Sequence, residues 1–183
     1  GIGSMGRHHV RNARATAGVE LVALADPGGD RFGVAGDLPV LGGVEELIEA
    51  GIDAAIIAAP TAHHEAAALA LAEAGVHTLV EKPLATSVEA GRRIRDAFAS
   101  AGLVGAVGYV ERCNPALIDM RRRIAEGQLG EIEQIATRRQ SPFPARISDV
   151  GVVKDLATHD VDLAAWVAGA PYESIYARTS ARS

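Results

Sequence analysis

Gly1-Ile2-Gly3-Ser4-Met5-Gly6 has the spacing G-x-G-x-x-G and stands directly before a segment of helical period. Glycines in that pattern let backbone approach a pyrophosphate at a helix N-terminus. Alone, the pattern reads equally as an ordinary glycine turn. Its context adds weight, because the next strand-like run ends at Asp26, 20 residues after Gly6. A carboxylate there can accept hydrogen bonds from the hydroxyls of an adenosine ribose, and it repels a 2′-phosphate. The combination favours NAD over NADP, while Arg31 lies close enough in sequence to keep NADP open.

Two further sets of residues could do chemistry. Glu81-Lys82-Pro83 follows an apolar strand, and ligands of open α/β sheets gather at the carboxyl ends of strands. Lys82 is therefore well placed for a reaction, although a solvated loop charge is the usual fate of lysine. Further on, Asp155 and His159 are four residues apart and Asp162 three beyond, which puts three ionisable groups on one helical stripe. Oxidising a secondary alcohol needs a base for the hydroxyl proton while hydride leaves carbon, and imidazole suits that task. A charge cluster on a solvated helix is the other reading of that stripe. His8-His9 and His63-His64-Glu65 also raise a metal, but adjacent residues on a helix point apart and cannot readily chelate one ion, so no metal is expected.

The elements that must position these residues follow from periodicity. Val19–Ala25, Ile52–Ala58 and Val76–Val80 are nearly continuous apolar runs, as in parallel strands buried on both faces, and Pro39–Leu41 could be a shorter one. Between them, Arg7–Ala17, Val44–Ala50 and Ala62–Ala74 carry apolar residues at helical spacing and end near Gly18, Gly51 and Gly75. Alternation of this kind predicts an α/β fold with a doubly wound parallel sheet. Thr86-Ser87-Val88-Glu89 reads as a capping box with Thr86 as cap, opening a helix to about Ser100. Leu103–Tyr109 reads as another strand.

The character then changes, and we place a domain boundary near Val110, giving units 1–110 and 111–183. A charged helix from Asn114 to Glu126, strand-like residues in Glu131–Gln140, a proline-containing loop, a helix over Val152–Ala168 and an alternating stretch at Tyr172–Ser180 follow. One or two strands do not make a stable sheet, so the second domain is expected to be incomplete.

Composition excludes several classes. The net charge of −5 over 183 residues gives no basic surface for neutralising a phosphate backbone, which argues against nucleic acid as partner. No apolar run approaches the ~18–20 residues of a membrane span, so no membrane is expected. The single cysteine, Cys113, forms no internal disulfide and fits a reducing cytosol, and no signal-peptide pattern is visible; a cytoplasmic location is the expectation.

Taken together the motifs resemble the glucose–fructose oxidoreductase, inositol dehydrogenase and rhizopine-catabolism family (Gfo/Idh/MocA). The carriers are Gly1–Gly6 with His9, Ala59-Pro60-Thr61 with His64, Glu81-Lys82-Pro83-Leu84-Ala85, and Asp155-x-x-x-His159. The resemblance implies an N-terminal Rossmann domain and a C-terminal domain whose open sheet often forms the interface of dimers or tetramers. It places Gly1, Gly3, Ser4, Met5, Gly6, Asp26, Pro60, Thr61, His64, Glu81 and Lys82 about the dinucleotide. It makes Lys82 the holder of the substrate hydroxyl, His159 the acid/base and Asp155 a substrate-positioning group. It also makes the peptide before Pro83 a candidate for cis.

Within the family, Val107–Pro115 looks like the G-H-I-E-R-F-N-P-A segment of nucleotide-sugar 3-dehydrogenases, with Tyr109 in place of the His and Cys113 in place of the Phe. That likeness implies a hydride passing between NAD and the 3-hydroxyl of UDP-N-acetylglucosamine or its uronate. Arg112, Asn114, Arg139 and Arg146 would then contact the sugar or its diphosphate. An inositol or cyclitol 2-dehydrogenase is the alternative, and an NAD(H)-sensing regulator without turnover a more distant one.

Overall fold

The computed structural model describes residues 1–140 and 153–178. It divides into two compact units, Gly1–Gly108 and Tyr109–Ser183. The first contains helix α1 (Gly6–Ala15), strands β1 (Leu24–Ala25) and β2 (Val40–Leu41), α2 (Val44–Glu49), β3 (Ala54–Ile57), a 3₁₀ turn at Thr61–His63 running into α3 (His64–Glu73), β4 (His77–Val80), α4 (Val88–Ser100) and β5 (Gly105–Val107).

All strand pairs in this unit are parallel. Strands β1 and β2 pair Leu24 with Val40 and Ala25 with Leu41. Strands β3, β4 and β5 form a second ladder in that order, with Ile57 opposite Val80 and Val80 opposite Val107. Helices connect the strands because parallel neighbours cannot be joined by a tight turn.

Helix α3 (HEAAALALAE) is built from small and straight-chain residues of high helix propensity. Its buried positions His64, Ala68, Leu71 and Ala72 follow the 3.6-residue period, and Ala68, Leu71 and Ala72 pack with Ile57, Val76, Val80, Ile94 and Phe98 into the larger core. Full burial of Leu71 and Val80 is worth roughly 1.5–3 kcal/mol each. The helix stops in a Schellman turn: Val76 N–H donates to Leu71 O at 2.9 Å and Gly75 N–H to Ala72 O at 3.1 Å. That turn needs the φ of +78° adopted by Gly75. A smaller cluster of Ile2, Val10, Leu24 and Ala35 seats α1 on β1.

Several expectations are corrected. Val19–Ala25 contributes only Leu24–Ala25 to a ladder, because its partner β2 is itself two residues long. The runs are not buried on both faces: Ile56 is 42% exposed, and Val19 and Val22 are also exposed. Helix α4 is capped by Ser87, whose Oγ accepts from Ala90 N–H at 3.1 Å, so the cap falls one residue after Thr86.

The second unit holds a 3₁₀ turn at Val110–Cys113, α5 (Pro115–Ala125), a π turn at Val153–Ala157 and α6 (Thr158–Ala168). Asn114 caps α5 by accepting from Ala116 N–H at 3.1 Å, and Pro115 follows at a position where a missing N–H costs nothing. Neither Glu131–Gln140 nor residues 172–178 form a strand. Alternation alone does not make one: a strand's backbone groups must find a partner. Ile175 and Tyr176 are exposed instead. Among the described residues, no helix is long and apolar enough to cross a membrane.

Candidate functional site

The glycine turn is a cradle in the steric sense. A Cβ on Gly6 would stand 2.0 Å from Gly1 O, and one on Gly1 3.0 Å from Ala58 O. These two glycines are therefore required by the packing of the turn against the end of β3. Gly3 differs, because a Cβ there would meet nothing within 4 Å. Its bare backbone faces open space beside the start of α1, which is the fit a pyrophosphate requires. Ser4 and Met5 complete the turn and are exposed.

Asp26 lies directly after β1 and ties this turn down. Oδ2 accepts from Ile2 N–H at 2.9 Å and Oδ1 from Gly28 N–H at 2.8 Å. Burial pushes its carboxyl up, but those two donors together with nearby positive charge, Arg31 included, outweigh it and hold the group below the ordinary carboxylate range. Each carboxylate oxygen keeps a second lone pair, so the group retains capacity for ribose hydroxyls.

Lys82 follows β4, the central strand of its ladder. Glu81 N–H donates to Ile57 O at 2.9 Å on one side, and Val80 O accepts from Gly108 N–H at 2.8 Å on the other. The Lys82–Pro83 peptide is cis, as the family resemblance implied, and Lys82 is half-buried. His64 is 1% exposed. Its Nδ1 lies 3.0 Å from Pro83 O and 3.3 Å from Leu84 O, and Nε2 lies 2.9 Å from Ala59 O. His64 thus engages the backbone of two loops. Thr61 is likewise buried at the start of its 3₁₀ turn, while Pro60 is exposed.

Glu81 is 5% exposed. Its Oε1 accepts from His9 Nε2–H at 2.7 Å, and Oε2 accepts from Lys82 N–H at 3.0 Å. Burial pushes its carboxyl up, yet the hydrogen bonds from His9 and Lys82 outweigh this and hold it below its ordinary value. No local sequence signal pairs residues 9 and 81; the contact follows from the parallel topology.

In the second unit His159 sits in the first turn of α6, with Nδ1 buried. Asp155 falls in the π turn just before α6, and its side chain lies outside the described residues, as does the whole of Arg146. The other residues expected at a sugar or diphosphate make contacts within the second unit. Arg112 forms a fork with Asp162, Nε–Oδ2 2.8 Å and Nη2–Oδ1 2.6 Å. Arg139 does the same with Asp160 at 3.0 and 3.3 Å, and Asn114 is the cap of α5. Arg112 and Arg139 stay partly exposed beside these carboxylates. Among the described residues no group of three His, Cys, Asp or Glu side chains could hold a metal.

A parallel α/β unit with a glycine cradle before its first helix and a carboxylate at the end of the next strand defines a dinucleotide-binding domain. The chain belongs to the Gfo/Idh/MocA oxidoreductases: residues 1–109 match the oxidoreductase family, NAD-binding Rossmann fold, and residues 117–183 match the GFO/IDH/MocA C-terminal domain. Among its relatives, the scyllo-inositol 2-dehydrogenase (NAD(+)) of Bacillus subtilis (strain 168) is 33% identical over 185 residues, covering 96% of this chain and 54% of that protein. The UDP-N-acetylglucosamine 3-dehydrogenase of Acidithiobacillus ferrooxidans is 32% identical over 173 residues, covering 93% and 53%. The crystal structure of the WlbA dehydrogenase from Bordetella pertussis, in complex with NADH and UDP-GlcNAcA, superposes with a TM-score of 0.76 at 27% identity, covering 91% of this chain and 53% of that one. The chain thus spans about half the length of the curated relatives it matches.

Proposed function

We propose that this chain serves an NAD-dependent dehydrogenase that moves a hydride between the nicotinamide and a secondary hydroxyl of a cyclitol or sugar ring. The observation that carries the reading is the pairing, within one unit, of an open backbone cradle at Gly3 with a lysine on a cis-proline turn at the carboxyl end of the central strand. Gly1, Gly3, Ser4, Met5 and Gly6 would hold the pyrophosphate and Asp26 the ribose. Bound NAD+ supplies the hydride acceptor.

The chain's own residues supply the rest. Lys82 orients the substrate oxygen by donating a hydrogen bond to it. His159 takes the hydroxyl proton as the carbinol C–H bond breaks, which leaves a ketone, and returns that proton in the reverse direction. Asp155, four residues before His159, positions the substrate. General acid/base help of this kind is worth ~10²–10⁴ in rate.

Two finer readings differ in substrate. Likeness of the Val107–Pro115 segment to nucleotide-sugar 3-dehydrogenases supports a UDP-N-acetylhexosamine. The carboxylate pairs made by Arg112 and Arg139 favour a neutral cyclitol, because a guanidinium already forked to a carboxylate is poorly placed to bind a diphosphate. NADH formation followed by its near-ultraviolet absorbance, with NAD and a panel of inositols, free sugars and UDP-sugars, separates them. A signal with inositols alone establishes the cyclitol reading; one with UDP-N-acetylhexosamines alone establishes the nucleotide sugar; silence across the panel with NAD bound removes the dehydrogenase reading for these substrate classes. Exposed Ile175 and Tyr176 support self-association as well, which sedimentation equilibrium tests directly.

A further inference from the structure

Glu81 is the residue that the reaction chemistry leaves unexplained. It is a buried carboxylate one peptide bond from Lys82, and each of its oxygens takes one donor, His9 of α1 on Oε1 and the N–H of Lys82 on Oε2. His9 lies in the first turn of α1, the helix whose N-terminal end is the glycine cradle. A Cβ on Gly108 would come within 3.1 Å of the Glu81 carboxyl carbon and Oε1 and 3.2 Å of Oε2, so the neighbouring strand also confines the group. A charge-assisted bond in so enclosed a place is stronger than the same bond in water.

We propose that the His9–Glu81 hydrogen bond links the phosphate-facing helix to the lysine turn, so that occupancy of the glycine cradle sets the position of Lys82. His9 and Glu81 are then positioning residues rather than dinucleotide ligands or proton carriers. Residues 9 and 81 are 72 apart in sequence, and this bond joins the element that would bear on the pyrophosphate to the backbone of the residue that would bear on the substrate oxygen. His64 holds the far side of the same turn through the carbonyls of Pro83 and Leu84, which leaves the His9 side as the one that responds to α1. The inference rests on the dehydrogenase reading for its consequence in catalysis, but the coupling itself is observable without turnover.

Lysine occurs only at positions 82 and 154, which makes the test direct. The chain is reductively ¹³C-dimethylated, and the Lys82 methyl resonance is identified as the lysine signal that survives Lys154→Arg. In the wild type this resonance shifts on saturation with NAD. In His9→Phe, which keeps a ring and removes its nitrogens, NAD affinity stays within about threefold while the NAD-induced shift falls below about half. His9→Gln, which restores an N–H donor, recovers it, and His9→Phe/Glu81→Gln loses no more than His9→Phe alone. With an alcohol that the wild type oxidises, His9→Phe lowers kcat about 10- to 100-fold at saturating NAD and leaves the KM for NAD nearly unchanged.

A full NAD-induced shift or wild-type kcat in His9→Phe overturns the link, as does a wild-type Lys82 resonance indifferent to bound NAD. A chain that shows the coupled shift and oxidises no alcohol keeps the link and loses only the dehydrogenase reading.

Discussion

Gly3 and Gly6 belong to one motif, yet the structure assigns them different work, and alanine at each position should separate the two. At Gly6 the new Cβ would lie 2.0 Å from Gly1 O, so backbone must move by about an ångström to reach even a 3.0 Å contact. Overpacking of that kind costs about 1–3 kcal/mol, and Gly6→Ala should show it as a lower denaturation midpoint. At Gly3 the Cβ meets nothing within 4 Å, so Gly3→Ala should fold as well as the wild type, or gain ~0.4–1 kcal/mol through a less flexible unfolded chain. The space it fills is the space a pyrophosphate needs. Losing one or two close backbone contacts to phosphate should weaken NAD about 10- to 100-fold, or ~1.4–2.8 kcal/mol. Urea denaturation gives the first quantity and NADH fluorescence titration the second. A Gly3→Ala chain of wild-type stability that binds NADH within about twofold of wild type would refute the cradle argument.

Other consequences follow from the same geometry. Leu71→Ala removes a fully buried side chain from the α3 core and should cost about 2–5 kcal/mol by chemical denaturation; a loss under ~1 kcal/mol would mean the site collapses around the gap. Because the Glu81 carboxyl is held below its ordinary value of 4.5, it contributes stability at pH above that value and loses it as pH falls through the lower folded value. Wild-type stability should accordingly fall more steeply than that of Glu81→Gln as pH drops below about 4.5, and parallel acid titrations would contradict the assignment. Lys82→Ala and His159→Ala should each reduce turnover ~10²–10⁴-fold with NAD affinity within a few-fold; unchanged turnover in either removes that residue from the mechanism.

The parts of the fold legible in the sequence were those governed by local physics. Helix α3 announced itself through period and through Gly75, whose positive φ closes the Schellman turn. The G-x-G-x-x-G turn and Asp26 were readable because spacing alone sets their relation in a βαβ unit. What failed to show was set by partners distant in sequence. Strand-like residue types in Glu131–Gln140 and alternation from Tyr172 point to strands, but a strand exists only where a neighbour completes its hydrogen bonds. The partners of Arg112 and Arg139, Asp162 and Asp160, lie 50 and 21 residues away, and no local pattern announces those pairs. Glu81 was placed at the dinucleotide with its neighbours, and only the fold brings His9 to it. The cap of α4 slipped from Thr86 to Ser87 because both are good caps and sequence cannot choose between adjacent hydroxyls.

The proposed reaction passes a hydride directly from a ring carbinol carbon to NAD. It is tested most directly by incubating the chain with NAD and an inositol deuterated at its carbinol carbons, then weighing the NADH formed. The account predicts NADH carrying a single deuterium, with Lys82→Ala forming almost none. NADH without deuterium, or deuterium appearing only in solvent, would contradict it.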